Sequence, residues 1–209
     1  MDDQDDVTET VLSGEAYARA ALSTRRFYPL GLRGKVLFCI LTVASTILLA
    51  PATYARRGLI GSLEGDAASS GAIEPSFSTI ALAGVVSTSL CAILLLRFLW
   101  LVETDALSVE QATEVVRIEE AILTVAISTG TITVVASVTL ALIGLLAPNL
   151  AVALYGSGVQ IYVQAGGLFG VDTQVTSGLA VAITLVFLVL YLLITGEGER
   201  RRAAVPQPQ

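Results

Sequence analysis

Four long apolar stretches, Val36 to Tyr54, Phe77 to Val102, Ala121 to Ala147 and Val175 to Thr195, contain between them a single charged residue, Arg97. A helix rising 1.5 Å per residue needs about 20 mostly apolar residues to cross about 30 Å of hydrocarbon, and each stretch is near or beyond that length. None alternates apolar with polar residues as a barrel strand does, so the backbone can satisfy itself in lipid only as helix. The composition agrees: 54% hydrophobic residues, 14% charged residues and a mean hydropathy of +0.77 are too apolar for a water-soluble domain of 209 residues. The expectation is an all-α integral membrane protein with four transmembrane helices, placed in the plasma membrane with the lipid bilayer as its first partner.

Orientation follows from the basic residues near the ends of these stretches. Arg25, Arg26, Arg33 and Lys35 precede the first, Arg97 and Arg117 flank the connection after the second, and Arg200, Arg201 and Arg202 follow the fourth. The loop after the first holds only Arg56 and Arg57, and the loop after the third holds no basic residue. The positive-inside bias therefore puts both termini in the cytoplasm, and four spans fit that parity. Six acidic residues among the first 35 argue against a secretory leader, although Ala50-Pro51-Ala52 mimics a cleavage site.

The charged residues are unusual in kind. Of the 12 basic residues only Lys35 is lysine, and 18 acidic residues bring the net charge to −6. This resembles the acidic, lysine-poor composition of extreme halophiles, although a GC-rich genome also favours arginine over lysine. An acidic chain gives no reason to expect a nucleic-acid partner. Cys39 and Cys91 both fall inside apolar stretches and read as small packing residues rather than as a disulfide.

Two segments outside the stretches read as helices on the cytoplasmic side. "EAYARAALSTRRF" has Ser13 as a cap and Pro29, Gly31 and Gly34 as breakers, and it reads as a helix lying on the inner membrane surface. In "ETDALSVEQATEVVRIEEAIL", Ser108 stands three residues before Gln111 as in a capping box, so a helix should start near Val109 and run unbroken into the third stretch. Glu110, Glu114, Glu119 and Glu120 are then expected on a solvated face, without the loop residues of a calcium site. Arg97, beside Phe98 and Trp100, falls near the inner boundary, where its side chain can snorkel to the headgroups. Arg97 and Trp100 are thus interfacial candidates rather than a substrate site.

The opening of the first loop resembles that of the third. "LLAPATYARRGLIGS" begins at Leu48 and "LLAPNLAVALYGS" at Leu145, an offset of 97, and the Leu12 and Leu107 words and the Leu59 and Leu154 words match at an offset of 95. The reading is internal duplication, giving two tandem helical hairpins related by an axis along the membrane normal. Pro51 and Pro148 then share a role, each closing a span near its outer end, where a missing donor costs least. The corresponding organisation is an acidic tail over 1–11, a first hairpin over 12–102, a cytoplasmic acidic helix over 103–120, a second hairpin over 121–195 and a basic tail over 196–209. The segment over 148–174 is either re-entrant or an outer hairpin, since Val159, Ile161 and Val163 alternate with polar residues.

Small residues at four-residue spacing mark the expected helix seams: Ala83, Ser87 and Cys91; Thr129, Thr133, Ser137 and Ala141; Gly178 and Ala182. Thr42 and Ala44 should correspond to Thr139 and Ala141 where the first and third helices meet. The chain has no histidine, which removes the commonest general base, bis-histidine haem ligation and most zinc sites. Gly156-Ser157-Gly158 only faintly resembles an intramembrane serine-protease motif, and Lys35, the only partner for a Ser-Lys dyad, sits where a flanking charge would. No catalytic, cofactor-binding or metal-binding residue is expected, and no cofactor. The functional expectation is a non-catalytic accessory, assembly or structural membrane component that associates with itself or with other subunits. The alternative is a protomer of an oligomeric small-solute or ion transporter or channel.

Overall fold

Helix caps and prolines divide the chain into elements in a computed structural model, which describes residues 16–22, 27–55, 76–104, 107–157 and 173–204. Residues 16–22 are helical, and this described part is labelled α1. Four helices long and apolar enough to cross a membrane follow. They are α2 (Leu32–Tyr54), α3 (Ser76–Thr104), α4 (Val109–Leu146) and α6 (Thr173–Ala204), with a shorter α5 (Pro148–Gly156) between the last two. All the regular structure among the described residues is helical.

The start of α4 is built as its residues require. Ser108 Oγ accepts the Gln111 N–H at 3.3 Å, and the Gln111 side chain accepts the Ser108 N–H at 3.0 Å, so both arms of the capping box are made. From Val109 the helix runs 38 residues, about 57 Å, with a π-helical turn over Ala126–Thr131. It crosses the boundary drawn at 120/121 without a break, and α6 likewise continues to Ala204.

The two prolines act differently. Ala147 leaves the helical region at φ −136° and ψ 66°, ending α4, and Pro148 opens α5, where a missing N–H costs nothing. Pro51 instead lies inside α2, which tightens to a 3-10 turn over Thr46–Leu48 and then continues to Tyr54. The i to i+4 bond between Thr46 and Ala50 is opened by a side chain from α6. Ser177 Oγ accepts the Ala50 N–H at 3.1 Å and donates to the Thr46 carbonyl at 3.2 Å. A hydroxyl thus replaces one rung of the ladder next to the residue that lacks a donor. Gly34, expected as a breaker, sits inside α2, and Gly31 is its N-cap.

Two apolar clusters stack along the bundle. Nearer Lys35, Val36, Cys39 and Ile40 meet Cys91, Leu95, Leu99, Ala126 and Phe187; nearer Pro51, Val43 and Leu49 meet Val85, Val134, Val138, Ala151 and Ala180. Helices α2 and α3 each pack against all the other long helices, whereas α4 and α6 share no close seam. The two expected hairpins are therefore unequal, with α2 against α3 closely packed and α4 against α6 apart. Helices α3 and α6 run parallel and in contact along their length. Ser78 Oγ is 3.1 Å from Thr176 Oγ1, an offset of 98, and Gly198 lies against the Glu103 side chain, an offset of 95.

The seams differ from the four-residue patterns. On α3, Ala83 is exposed, and the close approach is made by Gly84 one residue later. A Cβ on Gly84 would lie 2.9 Å from Val134 Cγ2 and 3.0 Å from the Gly130 carbonyl oxygen, and one on Gly130 would lie 3.2 Å from the Gly84 carbonyl oxygen. Backbones meet here because neither residue has a side chain to hold them apart. Ser87 and Thr129 do join across this seam at 2.7 Å, and Ser137 and Ala141 are buried below it. On α6, Gly178 and Ala182 point outward; Thr176, Ser177, Ala180 and Phe187 form the inner stripe. Thr139 is exposed, while Thr42 and Ala141 are buried.

Candidate functional site: a buried charge cluster at one end of the bundle

Among the described residues, three charged side chains are buried, and they lie together. Lys35, in the first turn of α2, and Glu119, about three turns into α4, are both 0% exposed, and Glu120 is 8% exposed. Lys35 Nζ donates to Glu119 Oε1 at 2.9 Å and to Glu120 Oε1 at 2.5 Å. Glu119 Oε1 and Oε2 lie 3.0 and 2.8 Å from the Tyr17 hydroxyl of α1, and the Phe27 N–H donates to Glu120 Oε2 at 3.2 Å. Every carboxylate oxygen of the pair is thus already an acceptor.

Burial of these ions overturns two readings of the sequence. Glu119 and Glu120 do not share the solvated face that Glu110 and Glu114 occupy, and Lys35 is not a free flanking charge. The helix itself explains the difference. Ala112, Val116, Glu119, Leu123 and Ala126 recur at spacings of four and three, so Glu119 lies on the stripe that faces the bundle, and Glu120 borders it. The signal was present in the sequence as one acidic residue on an apolar stripe, to be matched with the only lysine.

Formally, two carboxylates face one ammonium, which leaves an excess negative charge in a low-dielectric setting. The cluster lies beside the first turn of α2, whose unpaired N–H groups supply a compensating positive potential. A second pairing stands next to it. Arg33 directs Nε and Nη2 to Glu103 Oε1 at 3.1 and 2.8 Å, with Glu199 at 3.8 Å. Glu103 lies at the end of α3 and Glu199 near the end of α6, so residues two apart at the start of α2 bind three other helices through charge. Chemically, this arrangement fastens helices; its acceptor atoms are engaged with one another rather than left for a ligand.

The residues singled out from sequence lie elsewhere. Arg97 and Trp100 are on the exposed side of α3, away from the cluster; Pro51 is exposed near the opposite end of α2, and Pro148 is half-buried at the start of α5. Arg97 and Trp100 are three residues apart on one helix, and the two prolines stand on other helices. Cys39 and Cys91 are free and buried in one apolar cluster. Ser13 and the alternating segment from Val159 to Gln164 lie outside the described residues. Compared with protein-family models, curated proteins and solved structures, the chain matches none of them, and its functional reading rests on this geometry.

Proposed function

We propose that the chain is a multi-pass protein of the plasma membrane, crossing with α2, α3, α4 and α6 and holding both termini in the cytoplasm, and that it is a non-catalytic accessory or assembly component. The observation that carries the membrane reading is the outward surface of α6. Leu185, Val186, Val189, Leu192 and Leu193 are all exposed there, a continuous apolar band that water would not tolerate on a monomer. The orientation rests on the positive-inside bias of the basic residues, and the paired charges Arg33, Lys35, Glu103, Glu119, Glu120 and Glu199 lie at the end that this bias assigns to the cytoplasm. From Lys35 to Tyr54 α2 retains about 28 Å of apolar length, enough to cross the hydrocarbon from that level.

The accessory role is supported by how the bundle is filled. Val43, Leu49, Val85, Val134 and Val138 close the space between the helices, and the ions are tied to one another at one end instead of lining a path. With little of α6 covered, its outward face is available to a further subunit or a second copy. A transport reading is favoured by one observation: the hydroxyls of Thr88, Ser89 and Thr184 are buried without a hydrogen-bond partner. Thr88 has a structural explanation, because its hydroxyl rests against the Gly130 backbone, a weak contact common where helices approach closely.

Purification in mild detergent, with mass measurement and identification of co-purifying chains, tests the accessory role. A stable complex is the expected result; a monodisperse oligomer that passes solutes in vesicles would replace that reading with transport. Orientation is tested on a Cys39→Ala, Cys91→Ala background, where an external thiol reagent should modify Ser69→Cys but not Ser108→Cys.

A further inference from the structure

We propose that the outward face of α3 around Arg97 binds an anionic phospholipid, with the guanidinium on its phosphodiester and an acyl chain along the apolar residues beside it. The proposal rests on the membrane reading, but not on which end of the bundle faces the cytoplasm. Its first support is the set of residues that share this face. Leu90, Ile93, Leu94 and Trp100 are all exposed, and at 100° per residue each lies within about 60° of Arg97 around the helix. Arg97 is therefore a cation on a face otherwise suited to hydrocarbon, which continues past it for about 10 Å to Leu90. On its other side, nearly one turn on, stands Trp100, an amphipathic ring of the kind that sits at headgroup level.

The second support is that the bundle pairs its other charges at this end and leaves Arg97 out. Arg33 binds Glu103 and Glu199, and Lys35 binds Glu119 and Glu120, but among the described residues no carboxylate pairs with Arg97. Its neighbours three and four residues away are Ile93, Leu94, Trp100 and Leu101, so its own helix supplies no acid there. The one acid of α3, Glu103, is about 9 Å along the axis and about 120° around it, and is held by Arg33. A guanidinium stays charged and carries five donors in a planar fork. On a lipid-facing surface those donors need acceptors, and the bilayer offers the phosphate and ester oxygens of its headgroups. Two parallel N–H···O bonds match a phosphodiester. An anionic headgroup is favoured over a zwitterionic one, whose own cation competes for the phosphate.

The test uses the full chain reconstituted in phosphatidylcholine vesicles that carry a fraction of lipid brominated on its acyl chains. Trp100 is the only tryptophan of the chain, so its fluorescence reports lipid at this face alone. Compared with the same fraction of brominated phosphatidylcholine, brominated phosphatidylglycerol should quench Trp100 as though enriched about fivefold beside the helix. Arg97→Gln should bring the two lipids level while leaving the phosphatidylcholine curve unchanged, which shows that α3 keeps its depth. In the native chain the preference should survive about 1 M salt, where exposed charges are screened beyond about 3 Å. Equal quenching by the two lipids in the native chain, a preference that persists in Arg97→Gln, or one that vanishes in salt would each overturn the proposal. So would a Trp100 that neither lipid quenches. Flotation with the vesicles in alkaline carbonate then separates the two causes: a chain that floats has this face covered by a second copy, and a chain that does not float fails the membrane reading itself.

Discussion

Replacing Lys35 by methionine keeps most of the side chain's volume and removes the cation that, among the described residues, is bound to Glu119 and Glu120. With Lys35 and Glu119 at 0% exposure, neither carboxylate can recover its lost partner from solvent without opening the structure. Breaking a buried ion pair from one side typically costs about 3–5 kcal/mol, because the charge left behind is uncompensated. At 1.4 kcal/mol per factor of ten, the folding equilibrium constant should fall by about two to three and a half powers of ten. Reversible unfolding by SDS in mixed micelles, followed by helical circular dichroism, measures this. Arg117→Met supplies the comparison, since Arg117 is exposed on a neighbouring part of α4 and its loss should cost about 1 kcal/mol or less. The combined Lys35→Met, Glu119→Gln, Glu120→Gln chain should recover most of the loss, because neutral replacement of a whole buried cluster is often nearly free. If Lys35→Met costs no more than Arg117→Met, the cluster is hydrated and the argument from burial is wrong.

Three further outcomes are expected. Gly130→Ala should destabilise the bundle by about 1–3 kcal/mol in the same assay, since its Cβ meets the Gly84 carbonyl and Thr88, whereas Gly178→Ala, with nothing within 4 Å, should be neutral or slightly stabilising. Ser177→Ala should cost about 1–3 kcal/mol by stranding the Ala50 N–H, while Ser157→Ala, at the exposed end of α5, should cost little. Arg97→Lys should leave expression and stability nearly unchanged, because either cation reaches the headgroups from the exposed side of α3; a large loss would reveal specific guanidinium contacts.

Length and polarity made the four long helices legible, because a run of apolar residues has few options and a capped start at Ser108 has fewer. The seams were less legible for a physical reason. A four-residue spacing of small residues recurs on more than one face of an Ala-, Ser- and Thr-rich helix, and Ala83 and Gly84 are adjacent in sequence but about 100° apart around α3. Only the partner decides which is covered, and Gly130 with its π-helical turn chose Gly84. The two LLAP words show the same limit. Both promise a proline near the end of an apolar helix, yet the first is followed by a helix that continues because Ser177 satisfies the opened rung, and the second by a backbone break at Ala147. Local words specify a proline's problem, and tertiary contacts specify its solution.

The charge cluster was missed because each residue has an ordinary explanation by itself. An acidic residue in an acid-rich helix belongs in water, and a lysine before an apolar run belongs at an interface. The exception becomes visible only when helical phase is read through the acids rather than around them. Counting from Ala112, the stripe reaches Val116, Glu119, Leu123 and Ala126, so a helix that buries its neighbours must bury Glu119 too. A carboxylate forced inside requires a cation and further donors, and the chain has only one lysine with which to meet that demand close by. Among the described residues Tyr17 and Phe27 supply further donors, which ties the position of α1 to the phase of α4. An insertion of one residue between Ser108 and Glu119 would rotate the acids by about 100°, so it should release α1 as well as Lys35 while leaving the apolar length of α4 intact.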